Sequence, residues 1–285
     1  MTTTFPLGPF TVSRVGFGAM QLPGPGVIGP PRDHDQAIAV LKRAVELGVD
    51  HIDTAQFYGP KVANELIREA LHPYSENLAL VSKVGARRND GGEWIAAQQP
   101  DELRADIEAN LETLGTDRLA AVNLRIHSGD PTSVGAVDRE LFDRQLTAMI
   151  AARDEGLIAG IGLSSVSIDH LRIALDRTEI VTVQNAFNFL DRSSQPVLDL
   201  CTERGISFVP FFPLGSGFTA DNPVLGHAAV KQTATELGCT PAQIVLAWTL
   251  SVAPNVLLIP GTSSVAHLEE NIAIADIELP ADFTP

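Results

Sequence analysis

Short apolar runs alternate along the chain with longer stretches of helical spacing. The runs are residues 15–18, 51–53, 78–82, 121–126, 160–163, 180–184, 207–210 and 256–259. Each is too short for a helix and most are dominated by apolar residues, as expected for a sheet covered on its outer face. Between them, residues 33–47 place Ile38, Leu41, Ala44 and Val45 on one helical face and stop at Gly48. Pro100 opens a stretch carrying Leu103, Ile107, Leu111 and Leu114, which ends at Gly115. Residues 141–153 and 230–237 behave alike, with Gly156 and Gly238 as stops, and Thr240-Pro241 caps a further helix through Trp248.

Eight strand–helix alternations predict an α/β fold, a closed (β/α)8 TIM barrel. Residues 5–14 alternate around Gly8-Pro9 and predict a small β-hairpin outside the barrel. The Pro/Gly-rich residues 22–31 read as a loop after the first strand. No linker-like tract divides residues 1–285, so a single domain is expected. The rival is a doubly wound sheet. It lacks its phosphate fingerprint, because Gly16-Phe17-Gly18 is followed by Met20-Gln21 with no third glycine in place.

Composition narrows the function. A net charge of −15 without a Lys/Arg cluster opposes nucleic acid and anionic membranes as partners. No apolar run is long enough to span a bilayer, and no basic–apolar leader opens the chain, so a cytoplasmic protein is expected. The two cysteines, Cys201 and Cys239, form no metal-spaced pair, and the histidines show no ligand spacing; no metal is expected. A Gly-x-Ser-x-Gly nucleophile elbow is absent.

The chemistry gathers at strand ends. Asp53 ends one apolar run, Lys83 follows the next, and His127 follows the one after. Tyr58, one of two tyrosines, comes five residues after Asp53 and before the Gly59-Pro60 turn. In a parallel barrel the ends of the strands form the active face. Carbonyl reduction places negative charge on oxygen, and a phenol can supply the proton. An adjacent ammonium lowers the phenol's pKa by favouring the phenolate, and a carboxylate keeps the ammonium charged. Lys83 and Asp53 suit those roles, and His127 suits a hydrogen bond to the carbonyl oxygen. Hydride has to come from a cofactor. Taken singly, Asp53 reads more readily as a cap or turn residue and His127 as a surface-loop histidine. By alternation Asn123, Arg125 and His127 share one face of their strand, where three inward polar residues are costly unless used.

These residues resemble the aldo-keto reductases. The run Asp53-Thr54-Ala55-Gln56-Phe57-Tyr58-Gly59 is similar to that family's Asp-Thr-Ala-x-x-Tyr-Gly signature, and Lys83 and His127 match the rest of its catalytic tetrad. Gly162-Leu163-Ser164-Ser165 is similar to its Gly-x-Ser-Asn segment, with Ser165 in place of asparagine, and Gln184-Asn185 resembles its nicotinamide-binding pair. Residues 210–217 resemble the loop over the pyrophosphate, with Phe211 as the ring that stacks on nicotinamide. Ile259-Pro260-Gly261-Thr262 and Leu268-Glu269-Glu270-Asn271 resemble the adenosine site. The resemblance implies a reductase that binds a nicotinamide cofactor without a Rossmann fold. Its cofactor contacts would come from Gly18, Ala19, Met20, Ser164, Ser165, Gln184, Phe211, Pro213, Leu214, Gly215, Ser216 and Gly217. They continue through Ile259, Gly261, Thr262, Ser263, Ser264, His267, Glu270 and Asn271.

NADPH is the cofactor the family implies. NADH stays open, because residues 259–271 contain no Arg or Lys against a ribose phosphate. Further stretches, among them Val122-Asn123-Leu124-Arg125, resemble a bacterial branch that contains pyridoxal reductases. Pyridoxal is therefore the first expected substrate. A broad carbonyl reductase and a slow, cofactor-sensing binding subunit are the alternatives. Met20, Phe57, Trp94, Asn123, Arg125 and Phe187 are the candidate substrate contacts. The expected partner is a small carbonyl compound, with the chain a monomer or weak homo-oligomer. The chain stops at Pro285, short of the segment that covers the substrate in the family; an open or differently closed site and a simple short tail are equal expectations.

Overall fold

The computed structural model describes residues 3–89, 91–126, 134–215, 222–281 and 283–285. Seven parallel strands lie side by side: β3 (Phe17–Gly18), β4 (His51–Asp53), β5 (Ala79–Val84), β8 (Ala121–Arg125), β9 (Ile161–Ser164), β10 (Thr182–Ala186) and β11 (Ser207–Phe211). Residues 256–258 close the ring. Val256 bridges Phe208 on β11, and Leu258 bridges Val15 just before β3, both in parallel. The amide of Leu257 donates to Phe208 O at 2.9 Å and that of Gly16 to Leu258 O at 2.8 Å, so the eighth segment joins both edges. The expected eight-stranded barrel is thus present.

The hairpin β1 (Thr4–Leu7) and β2 (Phe10–Ser13) lies outside the ring, as its alternation predicts, and covers the ring's amino-terminal end. Leu7 and Val12 pack with Ala79, Val81, Ala121, Val209 and Leu257. Alternate residues of a strand face one way. On β5 the inward series is Ala79, Val81, Lys83; on β8 it is Ala121, Asn123, Arg125. Each series runs from apolar at the floor to polar at the mouth. The outward series, including Leu80, Val84, Val122 and Leu124, joins the main core beneath the helices.

Helix α1 (His34–Glu46) starts at Asp33, whose carboxylate accepts from the Gln36 amide at 2.9 Å. Its buried face is Ala37, Val40, Leu41 and Ala44, whereas Val45 is 37% exposed. The expected stripe through Ile38 and Val45 is therefore rotated toward Ala37 and Val40. Small Ala37 and Ala44 let the helix lie close to the sheet, a choice that apolar spacing alone does not make. Helix α3 (Pro100–Leu114) opens with a Gln99/Glu102 capping box and ends at Gly115 in the left-handed conformation. Helices α2 (Val62–Leu71), α4 (Arg139–Asp154), α5 (Ile168–Leu175) and α6 (Gln195–Arg204) fill the next crossovers. After β11 come α7 (Pro223–Gly226), α8 (Ala228–Leu237) and α9 (Pro241–Ser251), and α10 (Val265–Ile272) follows the last barrel segment.

A second hairpin was not expected. It pairs β6 (Ala86–Arg88) with β7 (Trp94–Ala96) and sets Arg88 opposite Trp94 beyond the end of β5. Among the described residues no helix is long and apolar enough to cross a membrane.

Candidate active site

Asp53 is the last residue of β4, and Lys83 lies one residue before the end of β5, inside the strand rather than after it. Both point into the barrel at its carboxyl-terminal mouth. Lys83 is 3% exposed and Asp53 5% exposed, so the pair is desolvated and each charge depends on the other. The Lys83 ammonium forms a short ion pair with Asp53 and also donates to Thr54 O at 3.1 Å. The second Asp53 oxygen accepts from Gln184 Nε2 at 3.1 Å, across the barrel from β10. Tyr58, 4% exposed, places its ring with the Lys83 nitrogen 5.0 Å from the centroid. Burial is the largest single influence on the ammonium and works to lower its pKa. The charge of Asp53, then that of Tyr58, and hydrogen bonds to both outweigh it, holding the lysine above its ordinary value.

The same corner is gripped from outside. Thr54 and Ser82 each neighbour a site residue and face outward. Thr54 Oγ1 donates to Asn64 Oδ1 at 2.7 Å, and Ser82 Oγ donates to Asn110 Oδ1 at 2.6 Å. Asn64 donates to Asn110 at 3.0 Å and to Thr113 at 2.9 Å. Asn110 in turn donates to Gln56 Oε1 at 3.0 Å and to Asp106 O at 2.8 Å. Asn64 and Asn110 are fully buried, on α2 and α3 respectively. This network locks the two strand ends, β4 and β5, to the helices behind them. It was not expected from sequence. The available signal was polar residues at otherwise apolar helix positions, readable only once the helices' buried faces are known.

Phe57 makes edge contacts with Tyr58 at 5.3 Å and with Trp94 at 5.0 Å, from a position only 1% exposed. Trp94 is half-buried at the mouth, as is Met20. Phe187 is fully buried against Phe208 and Trp248, which makes it core rather than a surface for substrate. Asn123 is 1% exposed and faces Gly162, where a Cβ would stand 2.2 Å from Asn123 Oδ1; glycine is required there to admit the amide. Neither polar atom of that amide, nor Arg125 Nε, has a partner among the described residues. His127 lies outside the described residues.

Most cofactor candidates fall around β9 to β11 and the closing segment, while Gly18, Ala19 and Met20 follow β3 beside Asp53. Ser164 and Ser165 follow one another at the end of β9, their buried hydroxyls without partners among the described residues. Ser165 holds a left-handed φ of 55°. Asn185 is committed elsewhere, its amide accepting from Val166 N at 3.0 Å and donating to Val166 O at 2.7 Å. It therefore braces the loop after β9 instead of joining Gln184 toward a ligand. Gly18 and Gly261 pack backbone to backbone, since a Cβ on Gly261 would meet Gly18 O at 2.4 Å. Ala19 is fully buried behind them. Phe211 ends β11 half-exposed, and Pro213, Leu214 and Gly215 follow it; Ser216 and Gly217 lie outside the described residues. Ile259 is half-buried just past the closing segment. Thr262 Oγ1 accepts from Ser264 N at 3.0 Å, and Ser264 caps α10. Ser263 and His267 are exposed beside that helix start, with Glu270 and Asn271 half-buried on the helix.

A closed α/β barrel with a phenol over a buried Lys–Asp pair at the strand ends defines a reductase-like site. The sequence model of the Aldo/keto reductase family matches residues 14–284. The chain belongs to this family. It is 48% identical to pyridoxine 4-dehydrogenase of Escherichia coli over 278 residues, 98% of this chain and 94% of that protein. It is 38% identical to an uncharacterized oxidoreductase of Schizosaccharomyces pombe, covering 98% of this chain and 87% of the other. Among solved structures, an aldo-keto reductase from Klebsiella pneumoniae in complex with NADPH superposes with a TM-score of 0.80 at 24% identity, covering 99% and 92% of the two chains. A thermostable aldo-keto reductase bound to the inhibitor epalrestat gives 0.78 at 28% identity, covering 98% and 96%.

Proposed function

We propose that this protein reduces an aldehyde to an alcohol with NADPH, pyridoxal to pyridoxine being the first reaction to test. The observation that carries the proposal is the desolvated Lys83–Asp53 pair beside the Tyr58 ring. Tyr58 donates its phenolic proton to the carbonyl oxygen as negative charge develops there. Lys83, kept protonated by Asp53, stabilises the phenolate left behind. Thr54 O and Gln184 fix the pair, so it reorganises little during the step.

The residues fit a nicotinamide dinucleotide. Ser164 and Ser165 present hydroxyls without partners among the described residues on the wall next to Gln184, and Phe211 offers a half-exposed ring. Thr262, Ser263 and Ser264 bring hydroxyls and backbone amides to the start of α10, a favourable place for phosphate. When bound, NADPH supplies the hydride that no side chain can donate. Pyridoxal enters as substrate through the similarity to the Escherichia coli protein.

The test is NADPH oxidation with pyridoxal by the native protein and by Tyr58→Phe, with NADH run alongside. The variant is expected to lose roughly 10²–10⁴ in turnover while still binding NADPH. Undiminished turnover would remove Tyr58 as the acid.

A further inference from the structure

Acidic residues outnumber Lys and Arg in this chain by 35 to 20, and its arginines mostly find carboxylates. Arg43 pairs with Glu269, Arg87 with Asp106, Arg104 with Glu108 and Glu155, and Arg177 with Asp143. Arg88 and Arg125 do not. Neither has a carboxylate within 4.0 Å among the described residues, although both stand at the mouth beside Tyr58. Arg88 donates to the carbonyls of Gly92 at 2.7 Å and Gly26 at 3.1 Å, which leaves its positive charge unbalanced. The buried Nε of each arginine has no partner among the described residues.

Trp94 organises the two. The guanidinium carbon of Arg88 lies 3.6 Å from the indole centroid and that of Arg125 5.7 Å. Stacking on an aromatic face orients a guanidinium without satisfying its N–H groups in the ring plane. Burial lowers the pKa of Arg125, and the charge of Tyr58 opposes that effect. Arg88 is lowered by burial first and also by Arg125, so the two cations repel one another. Two partly buried like charges are costly unless an anion joins them. The candidates for the cofactor's phosphates do not supply that anion. They follow β11 and the closing segment, which stands opposite β8 in the ring, whereas the uncharged Ser164 of β9 pairs directly with Arg125.

We propose that this site selects aldehydes that carry a negative charge, a carboxylate or an ionised ring hydroxyl, with the anion held by Arg88 and Arg125 and the ring against Trp94. This proposal rests on the reductase reading above. A planar guanidinium matches an oxyanion through paired N–H bonds, which sets these residues apart from an apolar wall that accepts any aldehyde. Pyridoxal belongs to the class when its ring hydroxyl is ionised.

The experiment compares matched pairs on the purified protein with NADPH. One arm sets 4-carboxybenzaldehyde against 4-formylbenzamide, which has nearly the same shape, no charge and the more electrophilic carbonyl. The other sets pyridoxal against its 3-O-methyl ether. The anion is expected to be preferred by at least about tenfold in kcat/KM in one arm or both, mainly through KM. The arm that responds identifies the oxyanion. Benzoate should inhibit competitively with the aldehyde, and benzamide should not. Arg125→Met and Arg88→Met should each bring the ratio toward one, and Arg125→Lys should keep part of it. Ratios near one in both arms would overturn the proposal. So would an unchanged ratio in both methionine variants that fold and bind NADPH. Failure to reduce any carbonyl compound would instead sink the reductase reading itself, whereas equal reduction of charged and neutral twins removes only the selectivity.

Discussion

Arg14 and Arg125 sit at opposite ends of the same barrel and are treated in opposite ways. Arg14, 4% exposed at the floor, donates to the carbonyls of Val256 at 3.1 Å and Ala253 at 2.7 Å and also to Leu250. Its charge holds the start of the closing segment. Arg125, at the mouth, has a buried nitrogen without a partner among the described residues. Asn123, Ser164 and Ser165 share that condition at the same end. Toward the floor His51 Nε2, enclosed beneath Gly16, and Thr182 Oγ1 at the start of β10 also lack partners among the described residues. A folded protein ordinarily pairs its buried polar groups. Where it leaves several unpaired together, it does so at a site, and the matched Arg14 shows that the fold is able to pair a buried charge.

The largest break in this contrast comes at the buried Lys83–Asp53 pair of the mouth. Lys83→Met removes one partner of a buried ion pair and strands the Asp53 carboxylate. It should lower stability by roughly 3–5 kcal/mol as well as abolishing turnover. Chemical denaturation alongside NADPH oxidation checks both. Lost turnover without lost stability would show that Asp53 finds another cation.

Arg14→Met probes the floor. It should cost about 3 kcal/mol by leaving backbone carbonyls unpaired, yet leave KM for the aldehyde unmoved. A raised KM would mean that the floor and mouth are coupled. Asn110→Ala is a smaller change. It cuts the links from α3 to Ser82, Asn64 and Gln56, and should cost about 1–2 kcal/mol with a fall in kcat at unchanged KM. Rescue of kcat by Asn110→Asp, which keeps the acceptor for Ser82, would assign Asn110 a positioning role; equal loss in both variants would deny it.

Tyr74 gives the mildest contrast with Tyr58. It lies outside the site, with its hydroxyl donating to Leu114 O at 2.5 Å. Burial pushes its pKa up to about 12, so the fold favours the neutral phenol. That contribution to stability is complete below pH ~10, the ordinary tyrosine value, and is lost as pH rises toward 12. In Tyr58→Phe the phenolate absorbance should therefore rise near pH 12. A rise near pH 10 in the folded protein would contradict this.

Much of the barrel was legible before any coordinates, because its strands are short, buried on both faces and punctuated by glycine. Asp53, Tyr58 and Lys83 were legible for a related reason: charged and phenolic groups at the ends of apolar runs have few uses. The second hairpin was overlooked, although Asn89-Asp90-Gly91-Gly92 is a turn signal, because its flanks are charged rather than alternating. Arg88, on that hairpin, carries no sequence signal of its own. Phe187 and Asn185 show the converse limit. An aromatic or an amide next to site residues in sequence can face outward, as Asn185 does toward Val166, and only the strand's register decides which.

The central claim is that Tyr58, beside the Lys83–Asp53 pair, supplies the proton that completes aldehyde reduction. Single-turnover NADPH oxidation by Tyr58→Phe, with cofactor binding measured on the same sample by fluorescence, tests it directly. The account predicts unchanged cofactor affinity and a rate lower by roughly 10²–10⁴. A native-like rate in a folded, NADPH-bound variant would contradict it.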